Sequence, residues 1–400
     1  MTLLNDRVLI VGAGPVGLVT ACALADAGIP VKVVEASSSL PKDLRASTFH
    51  PPTLDLLERF GVTSRLIEQG LVCRHWQFRD RTQGVVATFD MGVLAADTDH
   101  PYRLQCEQWK LTALLRDRLA GSELVEFEYE AEAVGIAQNA DGVTLTVRRA
   151  DGSEDAFLGR YLVGADGGRS AVRKSLGVPF EGQTIPEVFL SMSTHFAFEN
   201  VIEDLAPIAY ITDPKEWVVL LRTPSLWRVL LPVDANLTDD EIRTPEAMQQ
   251  RLQAICPSDV PYDVAHSTAY RVNERVASRY IVDRVFLAGD AAHLNNPLGG
   301  MGMNGGIHDA LNLADKLAKV WKGAPLDTMG RYERQRRKAA LESVQAQTLR
   351  NRRIMSERDP QARSAYHDEL RQTVADPHAH RAYLLRSSMI QSLHELENVA

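Results

Sequence analysis

The sequence predicts an α/β fold in which a doubly wound parallel sheet is interrupted by a second, mostly antiparallel β-sheet and followed by C-terminal helices. Three observations predict it. Apolar, β-branched runs at 7–11, 161–164 and 284–288 each break into small residues before a helical stretch, as strands of a parallel sheet do. From Glu187 to about Tyr270 the pattern changes to strand-length runs broken by Pro and Asp: VFLSMSTHFAF, IAYIT, WVVLLRT and LWRVLLPV. Such runs suit an antiparallel sheet. The tail reads as long helices.

The first unit runs through Arg7-Val-Leu-Ile-Val11, turns at Gly12-Ala-Gly14-Pro-Val-Gly17 and continues as an alanine-rich helix to Gly28. Gly12 permits the tight turn, Gly14 lets the backbone approach a pyrophosphate, and Gly17 lets helix and strand pack closely. Pro15 suits the first helical position, where its missing N–H costs nothing. The free amides of that turn, at the positive end of the helix dipole, attract phosphate. A second strand, Val31-Lys-Val-Val-Glu35, ends in a carboxylate placed to accept from a ribose hydroxyl. Together these define a Rossmann-like unit for an adenine dinucleotide and leave NAD and FAD both open.

Tyr161-Leu-Val-Gly-Ala-Asp166-Gly-Gly-Arg169-Ser170 repeats the strand and its break, with Ser170 as a helix cap. Arg284-Val-Phe-Leu-Ala-Gly289-Asp290 does so again and enters GDAAHLNNPLGGMGMNGG, six glycines in eighteen residues. This stretch predicts a loop whose amides approach a flat ligand without side chains in the way. A helix from Ile307 to Trp321 should follow, its stripe of Ile307, Leu311, Ala314, Leu317 and Trp321 facing the core. Val72 to Asp90 reads as a hairpin that joins the inserted sheet. The expected division is 1–71, 98–180 and 271–325 for the dinucleotide domain, 72–97 and 181–270 for the inserted sheet, and 326–400 for the helical tail.

The chain has 400 residues, 45% hydrophobic and 24% charged, with a formal charge of −8. That provides interior for two domains and argues against a broad nucleic-acid footprint. Cys22, Cys73, Cys106 and Cys256 form no CxxC pair and no zinc spacing, so reduced thiols in a cytoplasmic protein are expected, with no metal site. MTLLNDRVLIVGAG does not read as a secretory signal, and no apolar run approaches the roughly 20 residues of a membrane helix. GxSxG, HExxH and Walker lysine patterns are missing, which sets aside serine hydrolases, zincins and P-loop enzymes. RYERQRRK, 331–338, reads as a solvated helical face.

GAGPVG, GADGGRS and GDAAHLNNPLGGMGMN, in that order, make the chain resemble the single-component flavin aromatic hydroxylases, the para-hydroxybenzoate hydroxylase-like family. The resemblance implies an FAD-binding domain with an inserted substrate sheet, NADH or NADPH and O2 as co-substrates, and a small aromatic substrate of phenol or hydroxypyridine type. Hydroxylation in that family passes through a flavin C4a-hydroperoxide. The resemblance assigns the FAD contacts to Gly12, Gly14, Gly17, Glu35, Asp166, Asp290, Pro297, Gly300, Gly302, Met303 and Asn304. Arg45, in LRAST, and Gln105, in LQCEQ, match further flavin-holding positions. Tyr210 falls on the tyrosine that contacts a phenolic hydroxyl and helps ionise it, and a phenolate pushes electron density onto the carbon under attack.

Where the benzoate enzyme clamps a carboxylate with arginine, this sequence has Thr223, with Arg222 one place earlier. Leu221, Arg222 and His195 are the expected substrate contacts, with Arg228 as a further basic group, although a one-residue shift reverses the face of a strand. His293 is the acid/base candidate beside the flavin, and Pro297 lines the reacting face. The reading is an FAD-dependent, NAD(P)H-consuming monooxygenase, a monomer or homodimer, with no nucleic-acid or membrane partner. The alternatives are a reductase or halogenase on the same fold, although the halogenase WxWxIP signature is missing, and a flavin-binding sensor without turnover.

Overall fold

The computed structural model describes residues 6–42 and 46–400. Val8–Val11, Val31–Val34 and Tyr161–Gly164 are buried at every position, as strands covered on both faces must be. They form the centre of a six-stranded sheet ordered Ile281–Val282, Val285–Leu287, Tyr161–Gly164, Val8–Val11, Val31–Val34, Val125–Glu128. Its pairs are parallel except for the antiparallel edge of Ile281–Val282 against Val285–Leu287. The helices Pro15–Asp26 and Gly302–Trp321 pack on each other. Three antiparallel strands, Ala131–Gln138, Val143–Arg149 and Glu154–Gly159, make the crossover into Tyr161–Gly164. They approach the parallel sheet so closely that a Cβ on Gly159 would lie 2.7 Å from Leu9. The sequence reading had placed no sheet there.

The second sheet has eight strands in the order His293–Leu294, Val264–Ala277, Phe180–Thr194, Trp227–Val233, Val218–Arg222, Ile208–Thr212, His75–Asp80, Gly84–Asp90. It is antiparallel except where Ile208–Thr212 meets His75–Asp80. Alternation along its strands builds two cores. Tyr210, Val219, Trp76 and Phe78 share one with residues of the C-terminal helices, and Ala209, Leu220, Val229 and Trp227 share the other.

Four details differ from the sequence reading. Leu71–Cys73 leaves the hairpin and pairs with Arg103–Gln105, which in turn pairs with Thr48–Phe49. The long strands Phe180–Thr194 and Val264–Ala277 carry the second sheet past residue 270, because they continue to pair from Phe180↔Ala277 onward. His293–Leu294 also joins this sheet, through Val276 and Arg275. Finally, the long helix begins at Gly302 and not at Ile307. Its glycines serve packing: a Cβ on Gly306 would lie 2.7 Å from Val16 and 3.2 Å from the Gly289 backbone.

The tail is helical. Gly330–Lys338, the π-helical Ala339–Gln345 and Ala346–Met355 follow one another without a break. Pro360–Ala375 and Pro377–Ser387 each start with proline at the first helical position behind an aspartate cap, Asp359 and Asp376. Ile390–Glu397 ends the fold.

Candidate active site

The first glycine turn separates three physical tasks. Gly12 has φ +103°, and a Cβ there would meet the Ala165 carbonyl at 2.5 Å. Gly17 sits against the Gly12 carbonyl, 1.9 Å from an added Cβ, whereas nothing lies within 4 Å of one on Gly14. The cradle is therefore open at one glycine and closed at the other two, which fits a pyrophosphate lying over Gly14 at the helix N-terminus. Glu35 reaches the same turn: its carboxylate accepts from the amides of Ala13 (2.9 Å) and Ser37 (2.9 Å). Asp166 turns back to its own segment, accepting from Ser170 Oγ (2.6 Å) and the Val172 amide (3.0 Å). Burial raises its pKa against those hydrogen bonds. Asp290 is exposed in the one-turn helix Gly289–Ala291, beside Val16 of the first helix.

The third segment forms a wall. Gly299 (φ +116°) and Gly300 (φ +66°) follow half-buried Pro297, whose carbonyl accepts from Gly300 N at 3.0 Å. Gly302 and Met303 open the helix, and Met303 packs against the dinucleotide-domain core. Asn304, fully buried, spends its side chain on protein: Nδ2 donates to the carbonyls of Thr48 (2.8 Å) and Gly300 (2.7 Å), and Oδ1 accepts from His50 N (2.9 Å). Gln105 does likewise, accepting from Ser47 Oγ (3.1 Å) and donating to Thr48 Oγ1 (2.8 Å). Both are positioning residues that fix 46–50 against the glycine wall. Arg45 lies outside the described residues.

His50 holds the wall from behind. Burial, then the charge of Arg103, lowers its pKa to about 3. The neutral ring donates from Nε2 to the Gly299 carbonyl at 2.8 Å. His308, likewise lowered to about 3 by burial and Arg336, bonds Thr53 Oγ1 at 2.9 Å.

His293 is buried and paired. It is 3% exposed, and its Nε2 is taken by Asp309 Oδ2 at 2.7 Å. Asp309 also accepts from Arg336 Nε (2.5 Å) and from the Gly289 amide (3.0 Å). Burial alone would raise this carboxyl, but the charges of His293 and Arg336 outweigh it and bring it to about 2. The triad ties the Gly289 turn to two helices, and His293 is held in it through Nε2. Asp309 and Arg336 carry no motif in the sequence and were missed by it.

On the second sheet, Tyr210 is 5% exposed and lines a small cavity with Trp76 and Phe78, together with Gly299 of the glycine wall and Arg103. Tyr210 meets Trp76 edge-on at 5.8 Å and Phe78 at 5.4 Å between ring centroids. Leu221 shares this face, since it pairs with Ile208 and packs on the same core. Arg222 does not. It pairs with Trp227, whose ring belongs to the opposite core, and it salt-bridges Glu199 at 3.5 Å. The alternation of the pleat turns it away from the cavity. His195 is also apart, exposed and bound to Asp263 through Nδ1. Arg228 lies on the Tyr210 side, opposite Leu221, and donates to Ser47 Oγ at 3.1 Å.

A dinucleotide cradle, a glycine wall and an aromatic cavity that Gly299 of that wall helps to line fit a flavin-dependent oxidoreductase acting on a ring. The comparisons agree. A family model described as "FAD binding domain" matches residues 6–347. Para-nitrophenol 4-monooxygenase of Pseudomonas sp. (strain WBC-3) is 35% identical over 363 residues, covering 90% of this chain and 89% of that one. The 6-hydroxy-3-succinoylpyridine 3-monooxygenase of Pseudomonas putida (strain DSM 28022 / S16) is 33% identical over 362 residues, covering 89% and 91%. The crystal structure of p-nitrophenol 4-monooxygenase from Pseudomonas putida DLL-E4 superposes with a TM-score of 0.92 at 31% identity, covering 97% of this chain and 98% of that one. The chain belongs to the para-hydroxybenzoate hydroxylase-like family of single-component, FAD-dependent aromatic monooxygenases. Among the described residues no helix is long and apolar enough to cross a membrane.

Proposed function

We propose that the chain hydroxylates a phenol or hydroxypyridine at the expense of NADH or NADPH and O2, with the reacting ring between Tyr210 and the Gly299 turn. The observation that carries this reading is that one buried cavity is lined by both. FAD, when bound, supplies the redox chemistry: it accepts hydride from the reduced nicotinamide and activates dioxygen. The chain supplies position and dryness. Gly12, Gly14 and Gly17 seat the pyrophosphate, Glu35 takes the ribose, and Asp290 stands at the mouth of the cradle. Gly299 and the first turn of the helix that opens at Gly302 would turn backbone amides toward the flat ring, where peptide dipoles would stabilise negative charge on the reduced flavin.

Tyr210 Oη donates to the substrate oxygen and so favours its ionised form. Leu221 and the rings of Trp76 and Phe78 keep water from the activated oxygen. The pyridine and phenol monooxygenases similar to this chain support the ring classes. The formal charge of −8 supports a small-molecule partner and no nucleic acid. Four buried, unpaired cysteines support a reducing, cytoplasmic setting.

The test is a panel of phenols and hydroxypyridines with the yellow, FAD-loaded protein under labelled dioxygen. Substrate-stimulated NAD(P)H oxidation with label in the product is expected. NAD(P)H oxidation that no ring accelerates, with no label in any ring, overturns the reading.

A further inference from the structure

Arg103 is the central feature of the cavity that the mechanism above leaves unused. It lies on Arg103–Gln105, the middle strand of the small three-stranded sheet, and is 2% exposed. Its Nε and Nη1 are buried without a hydrogen-bond partner, and among the described residues no carboxylate pairs with it. The Trp76 ring lies 4.5 Å from its Cζ and covers the guanidinium face. A cation–π contact of that kind leaves the N–H edge unsatisfied.

A guanidinium cannot shed its proton to escape burial, so a counter-charge is the physical remedy. The cavity around it is built to receive one. Trp76 and Ser387 line it, the Trp76 Nε1 and Ser387 Oγ atoms are also buried without partners, and no acidic residue lines it. Tyr383, on the same wall, stays a neutral hydroxyl, its pKa pushed up to about 12 by burial. The cavity volume is about 10 Å³, room for one water-sized group. That suits an oxygen substituent, while the ring that bears it needs the aromatic wall to part.

We infer that Arg103 anchors an oxyanion borne by the aromatic ring, so that this enzyme takes its substrates as phenolates or aromatic carboxylates and not as neutral rings. The inference rests on the hydroxylase reading for the location of the substrate. It adds the charge that the substrate must carry. Because planar guanidinium meets carboxylate and phenolate oxygen alike, the two sources share one chemistry.

Equilibrium binding to the FAD-loaded protein, followed by the flavin difference spectrum, tests it with three probes: 4-nitrophenol at a pH where it is ionised, benzoate, and uncharged nitrobenzene. The wild type is expected to bind at least one anion more tightly than nitrobenzene. Arg103→Met should weaken that anion roughly 30-fold or more, the scale for removing one partner of a buried charge pair, and leave nitrobenzene as it was. Arg103→Lys keeps the charge and should recover part of the loss, with the bound-flavin spectrum reporting an intact fold. Preference for 4-nitrophenol identifies a phenolate, and preference for benzoate a carboxylate. A wild type without preference for either anion, or anion affinity unchanged in Arg103→Met, overturns the assignment. Anion binding that depends on Arg103 without oxygen entering any ring would overturn the hydroxylase reading alone. Hydroxylation that persists while anion affinity ignores Arg103 would overturn this inference alone.

Discussion

Replacing Gly14 by alanine should abolish tight FAD binding and leave the folded chain as stable as before. Gly14 has φ −73° and ψ −178°, a conformation open to any residue, and no protein atom lies within 4 Å of an added Cβ. The stability of the FAD-free protein should therefore stay within about 0.5 kcal/mol, or rise by up to ~1 kcal/mol because alanine restricts the unfolded chain. The same methyl group occupies the surface over which the pyrophosphate passes, so FAD affinity should fall at least ~10-fold, about 1.4 kcal/mol. Its two neighbours behave differently. Gly12→Ala forces a side chain into φ +103° and against the Ala165 carbonyl at 2.5 Å, at a cost of about 1–3 kcal/mol. Gly17→Ala drives a methyl to 1.9 Å from the Gly12 carbonyl, a backbone contact that cannot give way, and costs at least about 1–3 kcal/mol. Urea unfolding of the FAD-free variants measures the first quantity, and quenching of FAD fluorescence on titration measures the second. If Gly14→Ala destabilises the FAD-free protein as much as Gly12→Ala does, or binds FAD like the wild type, the assignment of roles within the turn is wrong.

Asp309→Asn leaves Arg336, 2% exposed, without its buried counter-charge, so unfolding by urea should show a loss of roughly 3–5 kcal/mol; a change below about 0.5 kcal/mol would remove the triad's structural role. His50 and His308 have folded pKa values near 3 against an ordinary 6.5. The unfolded chain thus binds more protons than the folded one below pH 6.5, and stability is complete above that pH and declines as pH falls from 6.5 toward 3. A urea midpoint that stays flat across this window contradicts the neutral, buried histidines. Tyr210→Phe should lower the hydroxylation rate roughly 10²-fold at neutral pH, with the deficit shrinking as rising pH ionises the phenol in solution; equal rates at all pH values would show that Tyr210 does not activate the ring.

The glycine turn was legible because Gly12 and Gly17 answer to backbone requirements that no other residue meets, and a strand, helix and acid flank them in sequence. The glycines at 302–306 were not legible as helix. Locally they favour a loop, and only the approach of Val16 and Gly289 at Gly306, from distant segments, explains why small residues sit in a helix there. Tyr210 was named only through the family resemblance, and Arg222 shows the limit of reading a strand alone: one position decides which of two cores a side chain meets, and the pairing register supplies that information. The partner of His293 was not legible, because Asp309 lies sixteen residues on in the following helix. Arg103 left a faint sign. It stands two residues before Gln105 on one strand, and such residues share a face, so a position beside the glutamine singled out by the resemblance was available to inspection.

The cavity draws on parts of the chain with different histories open to them. Its cofactor-side wall comes from within the segment matched by the FAD-binding family, 6–347, but Asn351, Tyr383 and Ser387 come from helices beyond it. On the placement of the ring proposed above, exchange of those last helices alters the cavity lining and leaves the glycine turns as they are. A chimaera carrying a relative's terminal helices on this chain is the natural route to a new diet for the same oxidising machine.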